Sequence, residues 1–106
     1  IYRMNKNGKM HLAHQPIKIK GRRFNDGKTG PDGCFYVGTA DFDSKGAFYR
    51  LKDGILEELF DGCTCSNGLD WSIDNKYMYY CDTPLQKIEI FDFDKKTNSN
   101  VKISLA

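Results

Sequence analysis

The sequence predicts an all-β fold built from repeated four-stranded antiparallel sheets. Three observations carry that prediction. The first is a repeat: Asn25 to Asn67 is 42 residues, and so is Asp32 to Asp74, each Asp lying in a turn (Asp32-Gly33, Asp74-Asn75). The second is a series of matching apolar runs. Phe35-Tyr36-Val37 falls on Tyr77-Met78-Tyr79, and Ala47-Phe48-Tyr49-Arg50 aligns with Lys87-Ile88-Glu89-Ile90 after one or two deleted residues. Each copy then ends in a further apolar run, Ile55 to Phe60 or Val101 to Ser104. The third is that no stretch shows a convincing amphipathic helical period. Four short strands in about 40 residues are the signature of a β-propeller blade.

Ile1-Tyr2-Arg3-Met4 resembles Phe48-Tyr49-Arg50-Leu51, and Asn5-Lys6-Asn7-Gly8 resembles Lys52-Asp53-Gly54. The chain therefore opens in the third strand of a blade, turns, and runs through a fourth near Lys9 to Ala13. A link and a strand around Ile17 to Lys20 follow. With that partial blade over 1–20, complete blades span about 23–60 and 67–104. Turns at Gly30-Pro31-Asp32-Gly33, Lys52-Asp53-Gly54 and Asp94-Lys95-Lys96-Thr97-Asn98 carry the residues that turns favour.

Ser66-Asn67-Gly68-Leu69-Asp70-Trp71-Ser72 holds the only Trp and reads as a buried strand. Locally, Asn-Gly is a hairpin-turn signal. Its recurrence at one place in the repeat marks it as more than a turn. Trp71, Leu69, Tyr79, Phe35, Val37, Phe48 and Phe91 are expected to be buried between blades, because alternate strand positions face neighbouring sheets. Two and a half blades do not close a ring, since propellers need four to eight. A partial ring exposes apolar faces and strand edges. The chain thus reads as a piece of a longer protein, without a whole functional unit.

Composition narrows the function classes. The net charge is +2 and the 16 basic residues are dispersed, so no stripe suits a nucleic-acid backbone. Lys18, Lys20, Arg22 and Arg23 form the densest basic group and read as a solvated strand face. No apolar run approaches the roughly 18 residues of a membrane span. Cys63-Thr64-Cys65 is too tight for zinc-ligand spacing, and His11 and His14 lack an adjacent acidic partner. The four cysteines, Cys34, Cys63, Cys65 and Cys81, read as reduced, half-buried thiols of a cytoplasmic protein.

A longer ordered series carries a resemblance. It runs from Arg23-Phe24-Asn25-Asp26-Gly27-Lys28 through Asp32-Gly33, Gly38-Thr39 and Gly46-Ala47-Phe48-Tyr49. It continues through Ser66 to Ser72, Tyr79-Tyr80-Cys81-Asp82 and Phe91-Asp92-Phe93-Asp94. It resembles the SMP-30/gluconolactonase family, and most closely its regucalcin branch. The match falls in the second to fourth blades of that family's six-bladed propeller.

The resemblance implies a metal-dependent sugar lactonase with one divalent cation (Ca, Zn, Mg or Mn) in the central channel. The family's metal is held by a Glu, an Asn and an Asp from different blades. The Asn maps onto Asn67; the Glu and the Asp, which also serves as base, lie outside this chain. The family's Arg-x-Asn-Asp motif contacts the sugar lactone, which maps onto Arg23 and Asn25. Counting on from Thr39 carries a further substrate contact to Asp43, although the loop here is shorter and has no Glu. These residue types suit that chemistry. A hard cation takes oxygen ligands such as an Asn carbonyl, Arg offers planar donors, and Asn both donates and accepts. The plain alternatives are an Arg23–Asp26 pair and turn-holding Asn side chains.

Two other readings stand beside the lactonase: a calcium-binding regulatory protein without significant catalysis, and a scaffold propeller. Polar residues aimed at the channel favour the first two. The expected partners are a small sugar lactone and the remaining blades of the same propeller, with no nucleic acid and no membrane. The chain alone is expected to be inactive.

Overall fold

The computed structural model describes residues 1–15 and 21–94, together with the backbone of 102–103. The expected strand at Ile17 to Lys20 and most of the turn from Asp94 to Asn98 lie outside the described residues. A hairpin of β1 (Tyr2–Met4) and β2 (Met10–Leu12) comes first. A first sheet follows, with β3 (Arg23–Thr29), β4 (Phe35–Ala40), β5 (Gly46–Lys52) and β6 (Ile55–Cys63) side by side in chain order. The second sheet repeats this with β7 (Ser66–Trp71), β8 (Tyr77–Asp82), β9 (Ile88–Asp92) and β10 (Lys102–Ile103). Every pairing is antiparallel. Among the described residues the only helical turn is a 3-10 turn at Thr83–Leu85.

Turn chemistry sets the hairpins. Asp53 and Gly54 both take positive φ, 50° and 78°, the backbone that an Asp-Gly two-residue connection supplies. Between β3 and β4, the Gly30 N–H donates to the Cys34 carbonyl at 2.8 Å, and Asp32 Oδ1 accepts from the Cys34 N–H at 3.1 Å.

One apolar face of each sheet packs against the other. Cys34, Tyr36, Phe48 and Cys63 of the first sheet meet Met78, Tyr80, Phe91 and Phe93 of the second, with Phe60, Leu69 and Trp71 packed around them. The rings interlock. Phe48 meets Tyr80 edge-on at 5.1 Å, Tyr36 meets Trp71 edge-on at 5.2 Å, and Phe60 stacks on Phe91 at 5.1 Å. Such pairs add about 0.5–1.5 kcal/mol each beyond their buried area.

The structure corrects one part of the repeat. Phe48, Val37 and Phe91 are buried as expected, and Leu69, Trp71 and Phe35 are half-buried. Tyr79, expected in the core, is 36% exposed, and Met78 and Tyr80 are buried in its place. The cause is one extra residue in the turn. Gly30 N–H reaches Cys34, four residues on, whereas Ser72 N–H reaches Tyr77, five residues on. Lys76 is the insertion.

Val37 lies across from Gly27, and Tyr80 across from Leu69. Val37 thus corresponds to Tyr80, 43 residues on, rather than to Tyr79. A one-residue slip moves a strand's side chains to the opposite face. In the third strand Tyr49 lies across from Val37 and Glu89 across from Tyr80, so the offset there is 40, and the third-strand alignment on Lys87 to Ile90 stands.

Gly38 lets the sheets approach. A Cβ there would lie 1.9 Å from Ser66 Oγ and 2.3 Å from Ser66 Cβ. Gly38→Ala is therefore expected to destabilise the fold by about 1–3 kcal/mol through overpacking, read as a lower urea midpoint. Adding Ser66→Gly should recover most of that loss. An unchanged midpoint in Gly38→Ala would contradict this packing.

Candidate functional site

The inner strands β3 and β7 are neighbours, and both begin at the same end of their sheets. Each carries an irregularity there. The β3–β4 register shifts between Phe24 and Gly27, and the β7–β8 register between Ser66 and Leu69. Asn25 and Asp26 occupy the first bulge, and Asn67 and Gly68 the second. Bulges re-aim side chains at sheet rims and sites. Gly68 needs to be glycine because its φ is +109°, a region that side chains rarely adopt.

Of the expected residues, Arg23 and Asn25 meet here, and Asn67 follows on the neighbouring strand start, one residue after the Ser66 carbonyl that Asn25 holds. The exposed Arg23 guanidinium donates to Asn25 Oδ1 at 2.5 Å and to the Phe24 carbonyl at 3.3 Å; it does not pair with Asp26. Asn25 Nδ2 donates across the gap to the Ser66 carbonyl at 2.9 Å and lies 3.8 Å from Cys65 Sγ. Asn25 therefore bridges two sheets rather than holding its own turn. The Asn67 side chain is exposed and makes no hydrogen bond to another described residue. Its carboxamide oxygen is available as a ligand.

Asp43 sits apart from this trio, in the exposed turn after β4. Its N–H donates to Asp41 Oδ1 at 2.9 Å, and Asp41 Oδ2 accepts from Arg22 Nε at 2.6 Å. Asp43 thus lies at the same end of the sheet as Arg23, which pairs with Ala40, but Asp41 stands between it and Arg22.

Several residues outside the sequence-derived set build this end. Asp82 accepts from the Thr64 N–H at 2.9 Å and the Cys65 N–H at 2.6 Å. Asp41 N–H donates to the Thr64 carbonyl at 2.8 Å. The Cys63-Thr64-Cys65 crossover is thereby laced between the ends of β4 and β8, immediately before Asn67. Asp26 Oδ2 accepts from the Gly68 N–H at 2.8 Å. Asp26 and Asp82 were both within matched motifs; Asp41 and Arg22 had no local signal, because their pairing joins residues 19 apart.

The residues at this end do not form a metal site by themselves. Among the described residues no three His, Cys, Asp or Glu side chains converge. Divalent ions take about six oxygen ligands, so Asn67 fits as one ligand of a set that these residues do not complete. All four thiols are free. Cys63 is buried against the Tyr80 hydroxyl at 3.3 Å, and burial foremost pushes its thiol up to about 11. Cys65 is half-buried. Among the described residues no helix is long and apolar enough to cross a membrane.

With this geometry in place, the relatives are informative. The family model "SMP-30/Gluconolactonase/LRE-like region" matches residues 1–104. The chain belongs to this family. Regucalcin of Bos taurus is 39% identical over 95 residues, covering 81% of this chain and 32% of the relative. Regucalcin of Danio rerio is 43% identical over 81 residues, covering 71% of this chain and 28% of the relative. The chain thus spans about a third of the length of the relatives it matches.

Among solved structures, a luciferin-regenerating enzyme superposes with a TM-score of 0.77 at 30% identity, over 91% of this chain and 33% of that one. A calcium-binding regucalcin from Agrobacterium tumefaciens superposes with a TM-score of 0.86 at 23% identity, over 98% of this chain and 37% of that one, and shows the shared fold. The two sheets are successive blades of a partial propeller of this family.

Two solution measurements follow. Arg22 foremost, then the Asp43 N–H, hold the Asp41 carboxyl below its usual range. A lowered folded pKa means that the Arg22–Asp41 contribution is present above the ordinary carboxylate value of about 3.9 and is lost as pH falls through the folded value. Asp41→Asn should therefore flatten the acid limb of a stability–pH curve below about pH 4 and leave its neutral-to-alkaline shape unchanged. Iodoacetamide at pH 8 should label Cys65 in the native protein and spare Cys63 until denaturant is added. Rapid native labelling of Cys63 would contradict its burial.

Proposed function

We propose that this chain is part of a divalent-metal-dependent sugar lactone hydrolase of the cytoplasm, to which it contributes one metal ligand and one substrate-binding wall. The observation that carries the reading is the Arg23–Asn25 pair tied to the Ser66 carbonyl at the start of the next inner strand, where the Asn67 side chain is exposed. A scaffold propeller needs no such polar cluster. Family membership and the gluconolactonase in the family's name supply the reaction class.

In this reading, Asn67 Oδ1 is a metal ligand. The chemistry a divalent ion would supply there, when bound, is Lewis-acid polarisation of the lactone carbonyl and a lowered pKa for a bound water. Arg23 keeps donors free beyond its bond to Asn25 and binds substrate oxygens. Asn25 fixes that guanidinium through Oδ1, and its second lone pair remains for a sugar hydroxyl. Asp43 closes the outer edge through the Asp41–Arg22 contact. The remaining blades supply the other metal ligands and the base.

A calcium-binding regulatory role is the second reading, favoured by the calcium-binding regucalcin of shared fold. Hydrolysis of gluconolactone by the full-length protein with Zn²⁺, Mn²⁺ or Ca²⁺ separates the two. Asn67→Ala should lose most of the metal affinity by calorimetry, and Arg23→Ala should mainly raise KM. The isolated 106-residue chain should bind metal weakly and turn over no lactone. Calcium binding with no hydrolysis under any metal would decide for the regulatory role, and micromolar metal binding by the isolated chain would refute the division of the site between blades.

A further inference from the structure

We infer that Asp26 is a positioning residue that, together with Asn25, brackets Asn67 and presets its orientation. This rests on the reading of Asn67 as a metal ligand. The two hydrogen bonds fall on either side of it. Asn25 Nδ2 holds the carbonyl of Ser66 at 2.9 Å, and Asp26 Oδ2 holds the N–H of Gly68 at 2.8 Å. Both run from one blade's inner strand to the next. Asn67 lies between the two held peptide groups.

The local backbone makes such a bracket necessary. The β7–β8 register jumps from the Ser66–Asp82 pair to the Leu69–Tyr80 pair, so Asn67 and Gly68 have no register partner on β8. Gly68 is at φ +109°, where glycine's freedom is widest. An unpartnered Asn-Gly pair would sample several directions for the carboxamide. The Asp26 carboxylate removes that freedom with a charge-assisted bond to the Gly68 N–H, the stronger kind. Asp26 is half-buried, and its carboxylate faces the neighbouring strand's backbone rather than Arg23. A metal ligand held in place before binding loses less entropy on binding, so affinity rises without a further contact.

Asp26 therefore acts on the metal only through Asn67. This separates it from a ligand and from a plain stabilising residue. Its substitution should change metal affinity, but only while Asn67 is present.

The test is a double-mutant cycle in the full-length protein, with Mn²⁺ affinity read by calorimetry and melting temperature recorded for each metal-free variant. Asp26→Ala is expected to weaken Mn²⁺ binding about tenfold or more, and Asp26→Asn, which keeps an acceptor for the Gly68 N–H, about threefold or less. Asn67→Ala is expected to abolish most affinity, and Asp26→Ala added to it should change nothing further. Amide exchange at Gly68 should accelerate in Asp26→Ala and stay slow in Asp26→Asn. If Asp26→Ala does not fold, Asp26→Ser takes its place in the cycle. Equal affinity losses from Asp26→Ala with and without Asn67 would overturn the inference by making Asp26 a direct ligand. Unchanged affinity in Asp26→Ala, with Asn67→Ala impaired, would overturn it while leaving the ligand reading intact. Unchanged affinity in Asn67→Ala would overturn the ligand reading itself, and with it the bracket.

Discussion

The packing of one blade's aromatic face on the next is the constraint on which the rest of this structure depends. A four-stranded sheet with apolar residues on both faces cannot bury them alone. Here Tyr36, Phe48 and Phe60 meet Trp71, Tyr80 and Phe91 across the gap, and the buried Phe48 and Phe91 are fully removed from water. Burying one such ring contributes about 1.5–3 kcal/mol. The same logic explains what is left over. Tyr77, Tyr79 and Ile88 lie on the second sheet's outer face and remain well exposed, as a blade does when its neighbour on that side belongs to another part of the ring.

That interface also sets where the polar residues go. Close approach of the two sheets requires Gly38 of β4 opposite Ser66, and it brings the start of β7 within reach of β3. Once there, Asn25 and Asp26 find backbone partners on the next blade instead of on their own. The bulges at both strand starts free those residues from the ladder. Scaffold and candidate site are thus coupled: the contact that closes the core also delivers the carbonyl of Ser66 to Asn25 and the N–H of Gly68 to Asp26.

The polar lacing around Thr64 and Cys65 follows the same pattern. A crossover between blades carries backbone groups that no ladder satisfies, and buried backbone groups need partners. Asp82 takes two of the N–H groups, and Asp41 N–H takes the Thr64 carbonyl. The tight Cys-Thr-Cys spacing belongs to this connection and forms no disulfide; all four thiols are free.

Much of this was legible in the residues alone. The recurrence of Asn25 at Asn67, the Asp-containing turns and the matching apolar runs determined an all-β repeat, because strand period and turn chemistry are local properties. Asn25 and Asn67 recur at equivalent strand starts, and Arg23 stands two residues before Asn25 with the same strand parity, so the repeat alone puts the three at one end. What only the tertiary structure decided was which faces and partners those residues took. Lys76 adds one residue after the turn, and a period of two makes that single residue exchange Tyr79 for Tyr80 in the core; the sequence offers Tyr at both places and cannot choose. The bracket around Asn67 and the Arg22–Asp41 pair join residues far apart in the chain. Their geometry depends on how closely two blades approach, which is fixed by packing and not by any local pattern.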